Sequence, residues 1–518
     1  MPLLWVCRNF RAVVYSRLFK CYALNIDSDV DDAQGRVLVL SRSLELFDSP
    51  FHLAAKEVMI SIDPWAVFTG KALKALSHAP YNDCSFPLVR TLEIKFNNGR
   101  YSKDNATVLP DIDSNIGAFI RRIRQMAPKI NLVKLSGGLD PSEQTHVAYL
   151  QFDSLTTQLI QLVHRVELTY KASRAFPFPQ VDVIRNLTHL HTNFDLDGEQ
   201  TIRLIRQNAP TLQHLLIISC VAANLSGIIQ DVDGSYAEYP RLHTLVVRLG
   251  MSWDLPRQHT FNDNAVLFPS LRRLDCGGGY PFGTDLILFR GNAATLEILQ
   301  LTLTRDLALA LLRRNVFTPA SHPKLKCVML VLHSSMRSAN YTDNPEIIQL
   351  IMDFGPGAAI KRISQWFIDQ APLPVFSLFG KHDNLQVLAL PDMRLSLWDS
   401  MTLIKSLPLL SDLHSKAPTL DPMPAGITKR GLVKYVCSNY SPIGTRFRGW
   451  HIEDGYVGNV DGVKPFLLLA LACPNFDYVA VFHFTREAFS ELLEKTIDTA
   501  TYKKYAPRLR RLLPHIPE

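Results

Sequence analysis

The sequence predicts an α/β fold. The expected form is an irregular solenoid whose short parallel strands build a curved sheet, with helices on the convex side and a short N-terminal helix in front. Three observations predict it. A short apolar phrase recurs along the chain, amphipathic helical stripes stand directly before several of its copies, and the composition is that of an ordinary folded protein. Of 518 residues, 47% are apolar and 20% are charged. The 32 Pro and 25 Gly are near average usage, which argues against a disordered chain. The length supports a large core with no need for disulfides or a metal. The net charge of +7 is spread over a long chain and does not by itself mark a nucleic-acid binder.

The phrase is a Pro followed at +2, +5 and +7 by apolar residues. It reads FPLVRTLEI at Pro87, APKINLVKL at Pro128, APTLQHLLI at Pro210, YPRLHTLVV at Pro240, FPSLRRLDC at Pro269, HPKLKCVML at Pro323 and CPNFDYVAV at Pro474. Copies without Pro start at Gln161, Arg185, Ala294 and Asp383, and a weaker copy starts at Pro408. From Gln161 to Pro323 the steps are 24, 25, 30, 29, 25 and 29 residues. The longer steps outside that window, such as 60 residues before Asp383, call for a missed copy or an insertion. Residues at +5 and +7 alternate, so they share one face of a short strand. A Pro at the start of the phrase bars helix at the residue before it.

The helices come next. Ile116, Phe119, Ile120, Ile123 and Met126 fall at helical spacing before Pro128, with Asp113 or Ser114 as cap. Ile202, Ile205 and Ala209 do the same before Pro210, with Asp197 as cap. Each unit therefore reads helix, stop, short strand, loop. A single unit cannot bury its own apolar face, so the units must stack.

This spacing resembles the leucine-rich repeat, L-x-x-L-x-L with helical connectors, over roughly residues 86–484. The family's Asn or Cys at +10 is matched only by Asn97 and Cys220, which makes the expected solenoid irregular. The alternative is an ordinary α/β sheet whose parallel strands share a pattern.

The chain opens LLWVCRNFRAVVYSRLF, with Leu3, Val6, Cys7, Phe10, Val13 and Val14 on one helical face. Leu3, Val6, Cys7, Arg8, Phe10 and Arg11 resemble the closing helix of an F-box, and F-box proteins with leucine-rich repeats place that helix directly before the repeats. The earlier Leu-Pro-bearing F-box helices are absent from the sequence. The expectation is thus an F-box remnant or a plain solenoid cap over residues 1–25, a solenoid over 26–500, and a basic cap or tail over 501–518. The resemblance implies the substrate-recognition subunit of a cullin–RING (SCF-type) ubiquitin ligase. A Skp-type adaptor would bind Leu3, Val6, Cys7, Phe10 and Val14 only if the F-box is completed upstream.

Catalytic chemistry was sought by motif. The loop DCGGGYPFGTD imitates a phosphate loop but lacks the Lys, and there is no G-x-S-x-G, H-E-x-x-H or C-x-x-C. His189 and His191 alternate on a strand, where solvent-facing histidines are a simpler account than a metal site. The eight cysteines sit at no zinc-finger spacing and suit a reducing compartment, with mostly buried thiols. The best candidate membrane span, Phe466–Phe482, is interrupted by Pro474, Asn475 and Asp477. The expectations are no catalytic, cofactor or metal residues, no nucleic-acid or membrane partner, and a cytoplasmic or nuclear location.

The positions at +4, +6 and +8 fall on the strand face opposite the core. On the early strands they include Arg165, His189, His191, His214, Arg248 and Arg273, with Lys95, Lys134, Glu93, Glu167 and Asp275. On the copies at 294, 323, 383 and 474 they carry no charge and include Ile298, Met329, Val387, Tyr478 and Phe482. The face is therefore read as slightly basic early and apolar late. The apolar part is either a partner-binding patch or is covered by insertions such as a helical Glu346–Phe367. The expected function is a non-catalytic protein-interaction module. A leucine-rich scaffold without a ubiquitin link and an enzyme with an unrecognised loop-end site are the alternatives.

Overall fold

The structure is a computed structural model of the whole chain. It describes residues 21–26, 55–77, 85–96, 111–137, 146–169, 181–193, 198–220, 227–229, 235–249, 266–278, 294–303, 311, 313, 322–332, 362–366, 382–390, 394–428, 431–452, 460–481, 486–497 and 503. The chain divides into two compact units, Met1–Gly250 and Met251–Glu518.

In the first unit eight strands follow one another across a parallel sheet. They are β1 (Cys21–Ile26), β2 (Glu57–Ile62), β3 (Thr91–Phe96), β4 (Leu132–Gly137), β5 (Arg165–Thr169), β6 (His189–Asn193), β7 (His214–Cys220) and β8 (Thr244–Leu249). Each pairs with the strand before it in the chain, so every connection is a crossover, as parallel neighbours require. The helices of this unit are α1 (Pro64–Phe68), α2 (Lys71–Ser77), α3 (Ile112–Met126), α4 (His146–Ile160) and α5 (Gly198–Gln207).

The register of the sheet is the register of the phrase. The +5 residues pair in a line: Val133 with Val166, Val166 with Leu190, Leu190 with Leu215, and Leu215 with Leu245. All are buried, as are the +7 residues Leu135, Leu168, Thr192, Ile217 and Val247. The Pro has a second role beyond stopping a helix. In most copies the N–H at +2 donates to the carbonyl at −1, as from Val89 to Phe86 (3.2 Å), Leu242 to Tyr239 (3.3 Å) and Leu271 to Phe268 (3.1 Å); in the copies at Arg185 and Pro210 it goes to Asn208 instead, from Leu187 to Oδ1 (3.0 Å) and from Leu212 to the backbone carbonyl (3.0 Å). Pro thus stands second in a β-turn, where its fixed φ is already suitable. The −1 residue closes the core under that turn: Phe86, Ala127, Ile160, Ile184, Ala209, Tyr239 and Phe268 are buried.

The helix α3 carries the expected stripe, with Ile116, Phe119, Ile120, Ile123 and Met126 all buried. Its cap differs. The helix starts at Ile112 after Asp111, which is left-handed (φ 70) and makes no side-chain capping bond, so Asp113 and Ser114 already lie in the first turn. There Asp113 acts through the helix dipole instead. Asn115 Nδ2 donates to Phe68 O (2.8 Å) and Arg122 Nε to Leu76 O (3.2 Å), which tie α3 to α1 and α2.

The second unit repeats the design with β9 (Arg273–Gly278), β10 (Ile298–Leu303), β11 (Cys327–Leu332), β12 (Arg362–Trp366), β13 (Val387–Leu390), β14 (Asp412–Ser415), β15 (Gly449–Ile452) and β16 (Tyr478–Val481). Consecutive strands pair in parallel, and the +5 line runs Leu274, Leu299, Val328, Ile363, Leu388, Leu413, Trp450, Val479. Its longer helices are α6 (Leu397–Ser406), α7 (Leu432–Asn439), α8 (Val460–Ala472) and α9 (Arg486–Ile497).

Two sequence expectations change here, and two of the long steps hold a missed copy. Within Glu346–Phe367, expected as a helical cover, residues Arg362–Trp366 are the strand β12. It fills the 60-residue step, and it was hidden because its +7 position is the polar Gln365 and the first position of its phrase is Ala358 rather than Pro. β15 fills the step between Pro408 and Pro474; Phe447, Trp450 and Ile452 are its +2, +5 and +7 residues, all buried. Finally, β1 lies across the expected boundary at residue 25, so residues 21–25 already belong to the sheet. Of the stretch Phe466–Phe482, residues 466–481 are the end of α8, the turn at Pro474 and β16. No helix among the described residues is long and apolar enough to cross a membrane.

Candidate functional site

In both units the strand face opposite the core is half-exposed and carries the polar residues. Alternation along each strand sets this: once +5 and +7 point inward, +4, +6 and +8 must point the other way. In the first unit the register then lines these side chains into rows. The +4 row runs Glu57, Thr91, Leu132, Arg165, His189, His214, Thr244, and the +6 row runs Met59, Glu93, Lys134, Glu167, His191, Leu216, Val246.

Charges pair across and along these rows. Lys134 Nζ lies 3.5 Å from Glu57 Oε1 and 3.7 Å from Glu167 Oε2, and Lys95 Nζ lies 3.3 Å from Glu93 Oε1. Partial burial alone would lower the pKa of Lys134. The carboxylates of Glu167, Glu57 and Glu93 outweigh burial and raise it. Such half-exposed pairs contribute at most about 1 kcal/mol each; they set where charge sits more than they hold the sheet together.

Next to this network lies an imidazole stack. The rings of His189 and His214, register partners on β6 and β7, stack at 4.2 Å and 20°, and His243 stands 6.5 Å from His214. Thr188 Oγ1 lies 2.9 Å from His189 Nδ1. Burial, then His214, then Arg165 push the pKa of His189 down to about 4. His214 is lowered by burial, His243 and Arg165. His191 is lowered by burial and Lys134 against the opposing pull of Glu167. All three rings are therefore neutral at pH 7. Arg165 stands beside the stack, and its buried Nε has no hydrogen-bond partner among the described residues.

Of the residues expected from the sequence, Arg165, His189, His191 and His214 come together on this face, and Arg248 lies on β8 at the +8 position. Arg273 lies in the second unit, 3.9 Å from Asp275. Tyr478 belongs to β16 as the register partner of Gly449; its side chain, Phe482, and Leu3, Val6, Cys7, Phe10 and Val14 lie outside the described residues.

The expected apolar late face needs correction. Ile298 on β10 is 38% exposed, Met329 and Val387 are half-buried, and Ala389 is buried. Between and beyond these strands, however, β12 places Arg362 in register with Val387, and β14 and β15 bring in Asp412, His414 and His451. The rings of His414 and His451 stack at 4.0 Å and 14°, and His451 Nε2 lies 3.7 Å from Asp412 Oδ1. The late face is mixed because three of its strands carry no readable phrase, or only a faint one. Glu57 and His243 were also missed. Glu57 lies on β2, whose Ala55, Val58 and Ile60 fit the spacing without a Pro, and His243 sits at +3, just before β8.

Both histidine pairs are stacked face to face, so their nitrogens do not converge on one point. No group of three His, Cys, Asp or Glu among the described residues is placed to hold a metal ion. No protein-family model matches the chain, and no curated protein matches it.

Proposed function

We propose that the chain is a non-catalytic protein-interaction module, an irregular leucine-rich-repeat solenoid that holds a protein target on its polar strand face. In this reading it resembles the substrate-recognition subunit of a cullin–RING ubiquitin ligase. The observation that supports it best is the coincidence of phrase and register described above. One strand per unit, each paired only with its chain neighbours, is what stacking repeats require. In the first unit it leaves a row of mostly half-exposed side chains, where Arg165, His189, His191 and His214 offer hydrogen-bonding groups. The ubiquitin link rests on residues 3–14 alone.

A second reading, a leucine-rich scaffold without that link, draws support from β1. Phe19, Tyr22 and Leu24 take the +2, +5 and +7 places of a further unit, and Tyr22 pairs with Val58 at the +5 line. In this reading the N-terminal segment, a helix by its sequence spacing, caps that unit. Mixing the purified chain with a purified Skp-type adaptor separates the two. A complex on size-exclusion chromatography that is lost in Val6→Asp supports the ligase reading. Its absence, with the chain folded, supports the scaffold.

A further inference from the structure

The edge of the first unit where its strands begin is a cationic strip. Lys56 and Arg90 immediately precede β2 and β3, Lys129 lies in the turn before β4, Arg185 precedes β6, and Arg241 lies in the turn before β8; all five are exposed. None of them is in an ion pair among the described residues, in contrast to Lys95 and Lys134 on the strand face and to Arg203, which lies 2.7 Å from Asp182. Asp182, which Arg203 pairs, and Glu238 are described acids near this edge; most other acids of the unit lie elsewhere. Glu57, Glu93 and Glu167 are on the strand face, and Asp63, Asp113 and Glu199 lie at helix starts, which the crossover connections place at the opposite edge. Helix C-termini reach the strand-entry edge and favour some positive charge there. Arg124 and Arg206, in the last turns of α3 and α5, already supply it. The five turn cations are additional.

We propose that this strand-entry edge binds an acidic, extended segment of a partner protein. Neighbouring strands lie about 4.8 Å apart, so the cations from β2 to β8 span roughly 29 Å, or one charge per roughly 7 Å. In an extended chain, alternate side chains on one side recur at roughly 6.7 Å, which lies between the gaps of roughly 5 Å and roughly 10 Å that separate the cations on β2, β3, β4, β6 and β8, so the long Lys and Arg side chains can reach the acids of a segment that carries one at every second residue. A single nucleic-acid strand has similar charge spacing, but it also needs exposed rings on which bases stack. The aromatic residues of these turns, Phe86 and Tyr239, are buried. That favours the acidic peptide. The inference does not depend on the repeat family or on the ubiquitin link, because it uses only the exposed charges and the strand order.

The test uses the full chain, a fluorescein-labelled oligoglutamate and a labelled oligothymidylate of equal charge, read by fluorescence polarisation across a sodium chloride series. The expected result is binding of oligoglutamate that weakens with salt and falls about tenfold or more in a variant carrying Lys56→Glu, Arg90→Glu, Lys129→Glu and Arg241→Glu. A control variant reverses four exposed cations of the second unit, Arg313, Arg394, Lys405 and Lys434, and should bind as the parent does. Circular dichroism melts establish that both variants fold; if the quadruple variant does not, the pair Arg90→Gln and Lys129→Gln replaces it. Equal binding by the edge variant and the parent, equal loss in the control variant, or tighter binding of oligothymidylate would each overturn the proposal.

Discussion

Acidification should weaken the first unit through its histidine stack, and His189 is the residue to test. In an unfolded chain a histidine titrates near 6.5, whereas in the sheet His189 does so at about 4, because burial, His214 and Arg165 oppose its charged form. Between those values the unfolded chain takes up a proton that the folded one does not. Stability is therefore complete above about pH 6.5 and falls as pH drops toward 4. Taken at face value, the shift costs roughly 2 kcal/mol at pH 5. The ring is half-exposed, and solvent screening reduces this to about 1 kcal/mol. His191 and His214 are shifted in the same direction and add to the slope. The assay is urea unfolding of the parent and of His189→Gln at pH 7 and pH 5, followed by far-UV circular dichroism. The parent should lose about 1 kcal/mol more than the variant between the two values. An NMR titration of Arg165→Met should show the His189 pKa moving up toward its ordinary value. Identical pH dependence in parent and variant would refute the reasoning, as would a parent that gains stability on acidification.

Other expectations follow from single contacts. Asn208 is buried between repeats; its Oδ1 accepts from Leu187 N–H (3.0 Å), and its Nδ2 donates to Ile184 O (3.0 Å) and Leu204 O (2.9 Å). Asn208→Ala removes all three bonds and leaves the Leu187 N–H without its acceptor, while Ile184 O keeps the bond from Gln207 Nε2 (2.7 Å); it should cost on the order of 2 kcal/mol in urea unfolding. Gly137 ends β4 at φ +91, and a Cβ there would lie 2.2 Å from Phe96 O. Gly137→Ala should therefore cost on the order of 3 kcal/mol, seen as a lowered thermal midpoint.

The strand ladder was legible because burial on one face writes the same three apolar positions into unit after unit. Val133, Val166, Leu190, Leu215 and Leu245 could be aligned by eye, and they pair. The stripe of α3 was legible for the same reason. What escaped notice were places where the physics tolerates exceptions. β12 keeps its backbone pairing with Gln365 at +7, since a strand is held by its ladder as well as by its side chains. β15 fills its core with Trp450 and Phe447 rather than leucines. The site was legible by position but not by partnership. The sequence could place Lys134 on the outer face, but it could not show that Glu57 and Glu167, from two other repeats, would flank it. Pairing across strands depends on register, and the register could be tested only once every strand was counted. The cationic edge was missed because its residues, at the first, +1 and +3 positions, lie in or beside the turn, where alternation does not assign a side.

The claim underneath all of this is that equal places in the phrase are neighbours in the sheet, and the chain contains a probe for it. Cys327 on β11 is the register partner of Ile298 on β10. Adjacent strands lie about 4.8 Å apart, within the range a disulfide can bridge. Under mild oxidation, Ile298→Cys should form a disulfide with Cys327, identified by peptide mass mapping, while Gln300→Cys, two residues along the same face, should not. A 300–327 disulfide, or no 298–327 disulfide under conditions that oxidise accessible thiols, would contradict the account.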